Sequence, residues 1–237
     1  MVRSTLITAM GIALCAGAAN PVRLPVLVEL FTSEGCSSCP PADRLLQQID
    51  PQVIVLSEHV DYWDRQGWKD RFSSHAFTER QEDYARQFGL DGPYTPQMVV
   101  DGTAQLVGSD APVAVQEIEK ASRRTKANVK VVRNGSAVAV EIDSAPGAAD
   151  VMLAVADDTA VTQVAAGENK GHQLHHVAVV RSLRKIGAIK RGGKFSTQIK
   201  LPPETVAQRV VVFLQESGRA QVSGAAMLAP AAYKPAP

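Results

Sequence analysis

Cys36-Ser37-Ser38-Cys39 constrains this chain more than any other stretch. It is preceded by a short apolar run, Val26 to Phe31, and followed at once by Pro40-Pro41. The run suits a buried strand. Paired prolines suit only the first turn of a helix, where backbone N–H groups lack helical partners anyway. Leu45, Leu46 and Ile49 then follow at helical spacing, so the pattern predicts strand, dithiol and helix in direct succession. At a helix N-terminus the free N–H groups and the positive end of the macrodipole stabilise a thiolate, which favours Cys36 as a nucleophile.

The rest of the chain supports chemistry at this pair over a stapling role. The sequence has 237 residues, 45% hydrophobic, with a net charge of +1 and three cysteines. That composition excludes wholesale disorder, a nucleic-acid binder driven by bulk charge, and a disulfide-rich scaffold. Met1 to Ala19 has a positive Arg3, an apolar run from Leu6 to Ala16 and small residues at Ala16-Gly17-Ala18. This is the pattern of a secretory signal peptide, too short to span a bilayer comfortably. The protein is therefore expected to be exported, periplasmic or secreted, with no membrane span after cleavage. Cleavage removes Cys15 and leaves Cys36 and Cys39 as the pair. A disulfide closing so short a loop removes little unfolded-state entropy, which makes redox chemistry or metal binding the better explanation.

Two compositional regimes follow. Residues 20–125 read as alternating elements: strand at Val53 to Val60, helix at His75 to Phe88, strands at Met98 to Val100 and Ala104 to Val107 around Asp101-Gly102, and helix at Val113 to Ala121. Residues 126–237 read as strands: Val129 to Arg133, Ala137 to Ile142, Val151 to Ala156, His176 to Leu183, Lys194 to Leu201, Arg209 to Gln215 and Ala220 to Leu228, with a frayed Ala/Pro-rich tail. The expected fold is an α/β domain followed by an all-β sandwich-like domain. Charge divides in the same way: net −6 over residues 20–125 and +6 over 126–237, which favours packing of the two halves.

A second motif is Tyr94-Thr95-Pro96, leading into the strand from Gln97 to Val100. Proline is the one residue for which a cis bond is cheap, so Pro96 is open either to a cis bond or to an ordinary trans turn.

These residues carry a resemblance. Residues 25–122 look like the thioredoxin superfamily. The whole chain after the leader resembles a widespread family of uncharacterised secreted bacterial proteins with a thioredoxin-like domain. The carrying segments are Glu29 to Asp43, His59 to Asp64, Gly67 to Asp70, Tyr94 to Gly102 and Gly167 to Gly171 through Arg181. The resemblance implies a thioredoxin-like fold, a nucleophile at Cys36, a resolving thiol at Cys39, and a cis-proline platform for an extended substrate at Pro96. It also departs from thioredoxin: Gly35-Cys36-Ser37-Ser38-Cys39 replaces Trp-Cys-Gly-Pro-Cys, and Glu29 lies seven residues before Cys36 where thioredoxin's buried acid lies six before.

Candidate supporting residues are Glu29, from the comparison with thioredoxin's acid, Thr95, from the Thr-Pro motif, and His59, Asp61, Tyr62 and Trp63, because the strand ending at His59 runs to the same sheet edge as Cys36. Trp63, Trp68 and Phe72 suit either a wall beside the dithiol or local core, and Asp70 a helix cap. Glu168, His172, His175 and His176 suit metal in residue type but not in spacing. Arg181, Arg184, Lys185, Lys190, Arg191 and Lys194 form a basic run that suits a solvated face or an anionic partner. The leading function is an exported thiol–disulfide oxidoreductase acting on protein cysteines. Its only redox group is the Cys36–Cys39 disulfide, and its electrons are exchanged with an unidentified thiol partner. Copper or other metal delivery through Cys36, Cys39 and His59, and a binding module with a vestigial dithiol, stand as alternatives.

Overall fold

The structure is a computed structural model that describes residues 25–201, 206–218 and 220–230. The leader expected at Met1–Ala19, and the end of the Ala/Pro-rich tail, lie outside the described residues. The first half runs β1 (Leu27–Thr32), α1 (Pro40–Ile49), β2 (Ile54–His59), a short 3-10 turn (Asp64–Gln66), α2 (His75–Phe88), β3 (Gln97–Val100), β4 (Ala104–Val107) and α3 (Ala111–Ser122). The second half runs β5 (Val129–Asn134), β6 (Ala137–Ile142), β7 (Ala149–Gln163), β8 (Gln173–Ile189), β9 (Phe195–Lys200), β10 (Gln208–Glu216) and β11 (Val222–Leu228). No helix among the described residues is long and apolar enough to cross a membrane.

The strand order corrects the expected fold class. Eight strands form one mixed sheet, β11-β10-β7-β8-β2-β1-β3-β4, and β5-β6-β9 form a second small sheet. The chain is therefore mostly β, with its helices on a continuous sheet, and not an α/β thioredoxin-like domain followed by a separate sandwich. The junction is β8, which pairs parallel to β2 at Ser57 and Val179. The physical reason is the free flank of β2. Every residue of β2 is buried, so that edge could not face water with its N–H and C=O groups unpaired. The apolar segment Val177 to Val180 of β8 fills the place.

β7 and β8 form an antiparallel ribbon of 15 and 17 residues. Its register shifts between Val155 and Ala156, which pair with Ser182 and Val180 and leave Arg181 as a bulge. A bulge bends the ribbon, which here lets one part of β8 track β2 while β7 pairs with β10. One core runs through the large sheet and the helices on it, including Leu30, Leu46, Leu56, Phe77, Met98 and Phe213. A second lies between the outer part of the large sheet and the small one, including Val138, Val140, Leu153, Val212 and Leu214.

Opposite charges join the halves at two buried points. Arg209 Nη1 meets Asp50 Oδ1 at 2.6 Å. Lys126 Nζ meets Asp101 Oδ2 at 2.6 Å and also donates to the Pro25 carbonyl at 2.7 Å. Asp101 accepts the Leu27 N–H at 2.8 Å. It occupies the β3–β4 turn at φ 46°, followed by Gly102 at φ 62°.

This turn packs directly on the chain before β11. A Cβ placed on Gly102 would lie 1.8 Å from the Ala220 carbonyl oxygen, whereas one on Gly135, at a similar φ of 60°, meets nothing. Both substitutions to alanine carry the left-handed penalty of about 1–2 kcal/mol. Gly102→Ala is therefore expected to destabilise by at least about 2 kcal/mol more than Gly135→Ala, because the backbone on both sides must shift. Denaturant unfolding of the two variants checks this.

Candidate functional site

The dithiol sits where β1 ends and α1 begins. Cys36 and Cys39 are joined as a disulfide with Cα atoms 5.4 Å apart, and both are wholly buried, while Ser37 and Ser38 between them are exposed. Cys39 is the N-cap of α1, with Pro40 and Pro41 in the first turn. The turn is tight: Cys36 N–H donates to the Ser33 carbonyl and Cys39 N–H to the Cys36 carbonyl, both at 3.2 Å.

Pro96 lies against the start of the same helix. Thr95-Pro96 is a cis peptide, and Pro96 is buried. A Cβ placed on Gly108 would lie 3.1 Å from the Cβ atoms of both Ala42 and Pro96, so one glycine seats α1 beside the proline. Trp63 completes the connection. Its Nε1 donates to Thr95 Oγ1 at 2.7 Å, and a Cβ on Gly35 would lie 3.2 Å from the Trp63 Cβ. The structure thus brings Cys36, Cys39, Trp63, Thr95 and Pro96 into one constellation.

Beneath it lies a buried group of ionisable side chains. His59 Nδ1 contacts Asp70 Oδ2 at 2.6 Å, and the same oxygen accepts the Glu34 N–H at 2.9 Å. Glu34 Oε2 accepts from Trp68 Nε1 at 2.8 Å. His176 approaches Glu34 Oε1 at 3.8 Å and Asp43 Oδ1 at 3.5 Å, and its ring meets that of His59 edge-on at 4.8 Å. Asp43, one helical turn after Cys39, accepts from Thr32 Oγ1 at 3.3 Å. Burial opposes a charge on His59, but the Asp70 carboxylate and its hydrogen bond more than offset this and raise its pKa. Burial likewise acts against ionised Asp70, and His59 with the Glu34 and Phe72 N–H groups overcomes it, bringing Asp70 down to about 2.

Other sequence-derived candidates lie elsewhere. Glu29 projects from β1 on the face opposite Thr32, by strand alternation, and so away from α1. There it accepts from Arg80 Nε at 2.7 Å and Tyr84 Oη at 2.5 Å, with Glu58 also beside Arg80. Burial and the neighbouring Glu29 push Glu58 well above the usual carboxylate range, though Arg80 opposes them. This cluster fastens α2 to the sheet. Asp61 accepts from Thr78 Oγ1 at 2.6 Å and binds the start of α2. Tyr62 donates to Gln81 at 3.2 Å, and burial raises its hydroxyl pKa to about 12. His172 and His175 are exposed while His176 points inward, so the three do not converge. No group of three or more His, Cys, Asp or Glu among the described residues is arranged to hold a metal ion.

The residues that sequence reasoning missed are Glu34, Asp43 and Asn169. Asn169 reaches the site from the tip of the β7–β8 ribbon and donates to the carbonyls of Glu34 and Cys36, both at 2.9 Å. Its neighbour Glu168 accepts the Ser37 N–H at 3.1 Å, and hydrogen bonding from the Ser37 hydroxyl and N–H holds its carboxyl below the usual range. The segment Gly167 to Gly171 was legible as a distinctive stretch. Its destination was not.

Residues 27–215 match the family described as "Protein of unknown function (DUF1223)". The chain belongs to that family. An X-ray crystal structure of an Agrobacterium tumefaciens protein is 29% identical, with a TM-score of 0.78 over 89% of this chain and 96% of that one. HBP35 of Porphyromonas gingivalis is 12% identical, with a TM-score of 0.57 over 90% of this chain and 77% of that one, and shares the fold alone. No curated protein matches the chain.

The His59–Asp70 pair sets a pH window for this DUF1223 protein. Asp70 contributes stability that is present above its ordinary value of 3.8 and is lost as pH falls toward 2. His59, raised, contributes stability that is complete below its ordinary value of 6.5 and is lost as pH rises above it. Asp70→Asn is therefore expected to cost most between about pH 4 and 6.5 and progressively less on either side. Thermal unfolding across pH, wild type against variant, checks this.

Proposed function

We propose that this protein is an exported thiol–disulfide oxidoreductase that exchanges the Cys36–Cys39 disulfide with cysteines of protein substrates. The observation that carries the reading is the joining of the disulfide at the α1 N-terminus to the cis Thr95-Pro96 segment through Trp63. A C-x-x-C with a Thr-Pro beside it is the motif pair that the thioredoxin superfamily uses for exchange. The signal-peptide pattern of Met1 to Ala19 supports export.

The chemistry closes without a further cofactor. In the oxidising direction a substrate thiolate attacks Cys36 Sγ and forms a mixed disulfide. Cys39 leaves as a thiolate and takes up a proton. A second substrate thiolate then attacks the substrate sulfur of the mixed disulfide and releases Cys36. Two electrons pass to the Cys36–Cys39 pair, and a partner thiol–disulfide protein takes them away. The reducing direction is the reverse. The α1 N-terminus favours the thiolate form of Cys36, which makes it the better leaving and attacking sulfur.

Cys39→Ala removes the resolving thiol, so mixed disulfides on Cys36 are expected to accumulate in exported extracts as adducts cleaved by dithiothreitol. The Cys36→Ser, Cys39→Ala double variant is expected to capture none. Equal capture by the two variants, or unaltered exchange by Cys36→Ser, refutes the reading.

A further inference from the structure

Both sulfurs belong to wholly buried residues, yet the two serines between them are exposed. The tip of the β7–β8 ribbon, residues 164–172, lies against the loop and bonds its backbone at Glu34, Cys36 and Ser37. It is a closed unit: Gly171 N–H donates to the Val164 carbonyl at 2.8 Å and Val164 N–H to the His172 carbonyl at 3.0 Å. Gly167, at φ 75°, packs on Trp68, where an added Cβ would lie 3.0 Å from the Trp68 Cβ.

The attachment of this tip is distinctive. Among the described residues, the hydrogen bonds between it and residues 34–37 all pass through two side chains. Asn169 spends both amide hydrogens, one on the Glu34 carbonyl and one on the Cys36 carbonyl. Glu168 accepts from Ser37 N–H. The stems of the ribbon are pinned separately: Arg71 Nη2 donates to the Val161 carbonyl at 3.1 Å and Gln47 Nε2 to the His175 carbonyl at 2.6 Å. The stems can therefore stay fixed while the tip lifts, at the cost of the Asn169 and Glu168 side-chain hydrogen bonds and no ladder bond.

We propose that the β7–β8 tip is a cap over the disulfide with Asn169 as its latch, and that it must lift before a thiol or reductant reaches Cys36. Asn169 is a positioning residue here: it holds the Cys36 carbonyl and takes no part in exchange. The biological use of the cap rests on the exchange reading, but the cap itself is tested without it.

The test is reduction of the oxidised full chain by tris(2-carboxyethyl)phosphine, followed by thiol labelling, at low urea concentrations. Asn169→Asp keeps the shape but sets carboxylate oxygen against two carbonyls, so reduction is expected about tenfold faster. Glu168→Ala, at an exposed position, is expected to accelerate it about two- to threefold, since one hydrogen bond is lost. Local opening leaves each reduction rate nearly independent of low urea, whereas opening by global unfolding makes each rate grow with the unfolding m-value. Variant rates equal to wild type, or rates that rise with urea as steeply as global unfolding does, overturn the cap. If Asn169→Asp does not fold, Glu168→Ala decides alone: an unchanged rate overturns the proposal. Accelerated reduction together with no capture by Cys39→Ala keeps the cap and discards the exchange reading.

Discussion

The structure depends on the pairing of β8 with β2. One parallel contact, Ser57 with Val179, lets a ribbon from the second half of the chain complete a sheet begun by the first. The pairing satisfies a buried strand edge. It also carries His176 under α1, beside Glu34 and Asp43, and sends the ribbon tip across the C-x-x-C loop. Without it, Cys36 would lie open at the sheet edge and the buried acids would lack their second histidine.

The two ionisable clusters do different work because a strand alternates. Glu29 and Thr32 lie on one short strand but on opposite faces. Glu29 meets Arg80 and Tyr84 and fastens α2. Thr32 meets Asp43 on the α1 side, where the disulfide also lies. Glu34 and Asp43, rather than Glu29, are the acids on the α1 side of the sheet. A shift of a few positions along the sequence exchanges one side of the sheet for the other.

The bland net charge likewise conceals specific pairings. The acidic first half and basic second half meet at Asp50 with Arg209 and at Asp101 with Lys126, where the partners are largely buried. Much of the basic run remains at the surface: Arg181, Arg184 and Lys185 lie on β8, near the bulge. Buried pairs of this kind fix geometry more than they add stability, because desolvation takes back much of the attraction.

The sequence by itself determined the local elements and the reactive pair. Pro40-Pro41, the Leu45–Leu46–Ile49 spacing and the Asp101-Gly102 turn act over a few residues, and the helices Pro40–Ile49 and His75–Phe88 have the ends their patterns predict. The C-x-x-C and Thr95-Pro96 were legible for the same reason. The ribbon extends beyond the strands its apolar pattern predicts, because its outer parts, such as Asp157 to Gln163, are polar and lack a buried-strand pattern. Long-range packing settled that strands of both halves share one eight-stranded sheet, that Glu34, Asp43, Asp70 and His176 gather near the dithiol, and that Asn169 bonds the Cys36 carbonyl. Those contacts link residues as far apart as Glu34 and His176. They arise from satisfying buried edges and carbonyls across the fold, a requirement that no local pattern encodes.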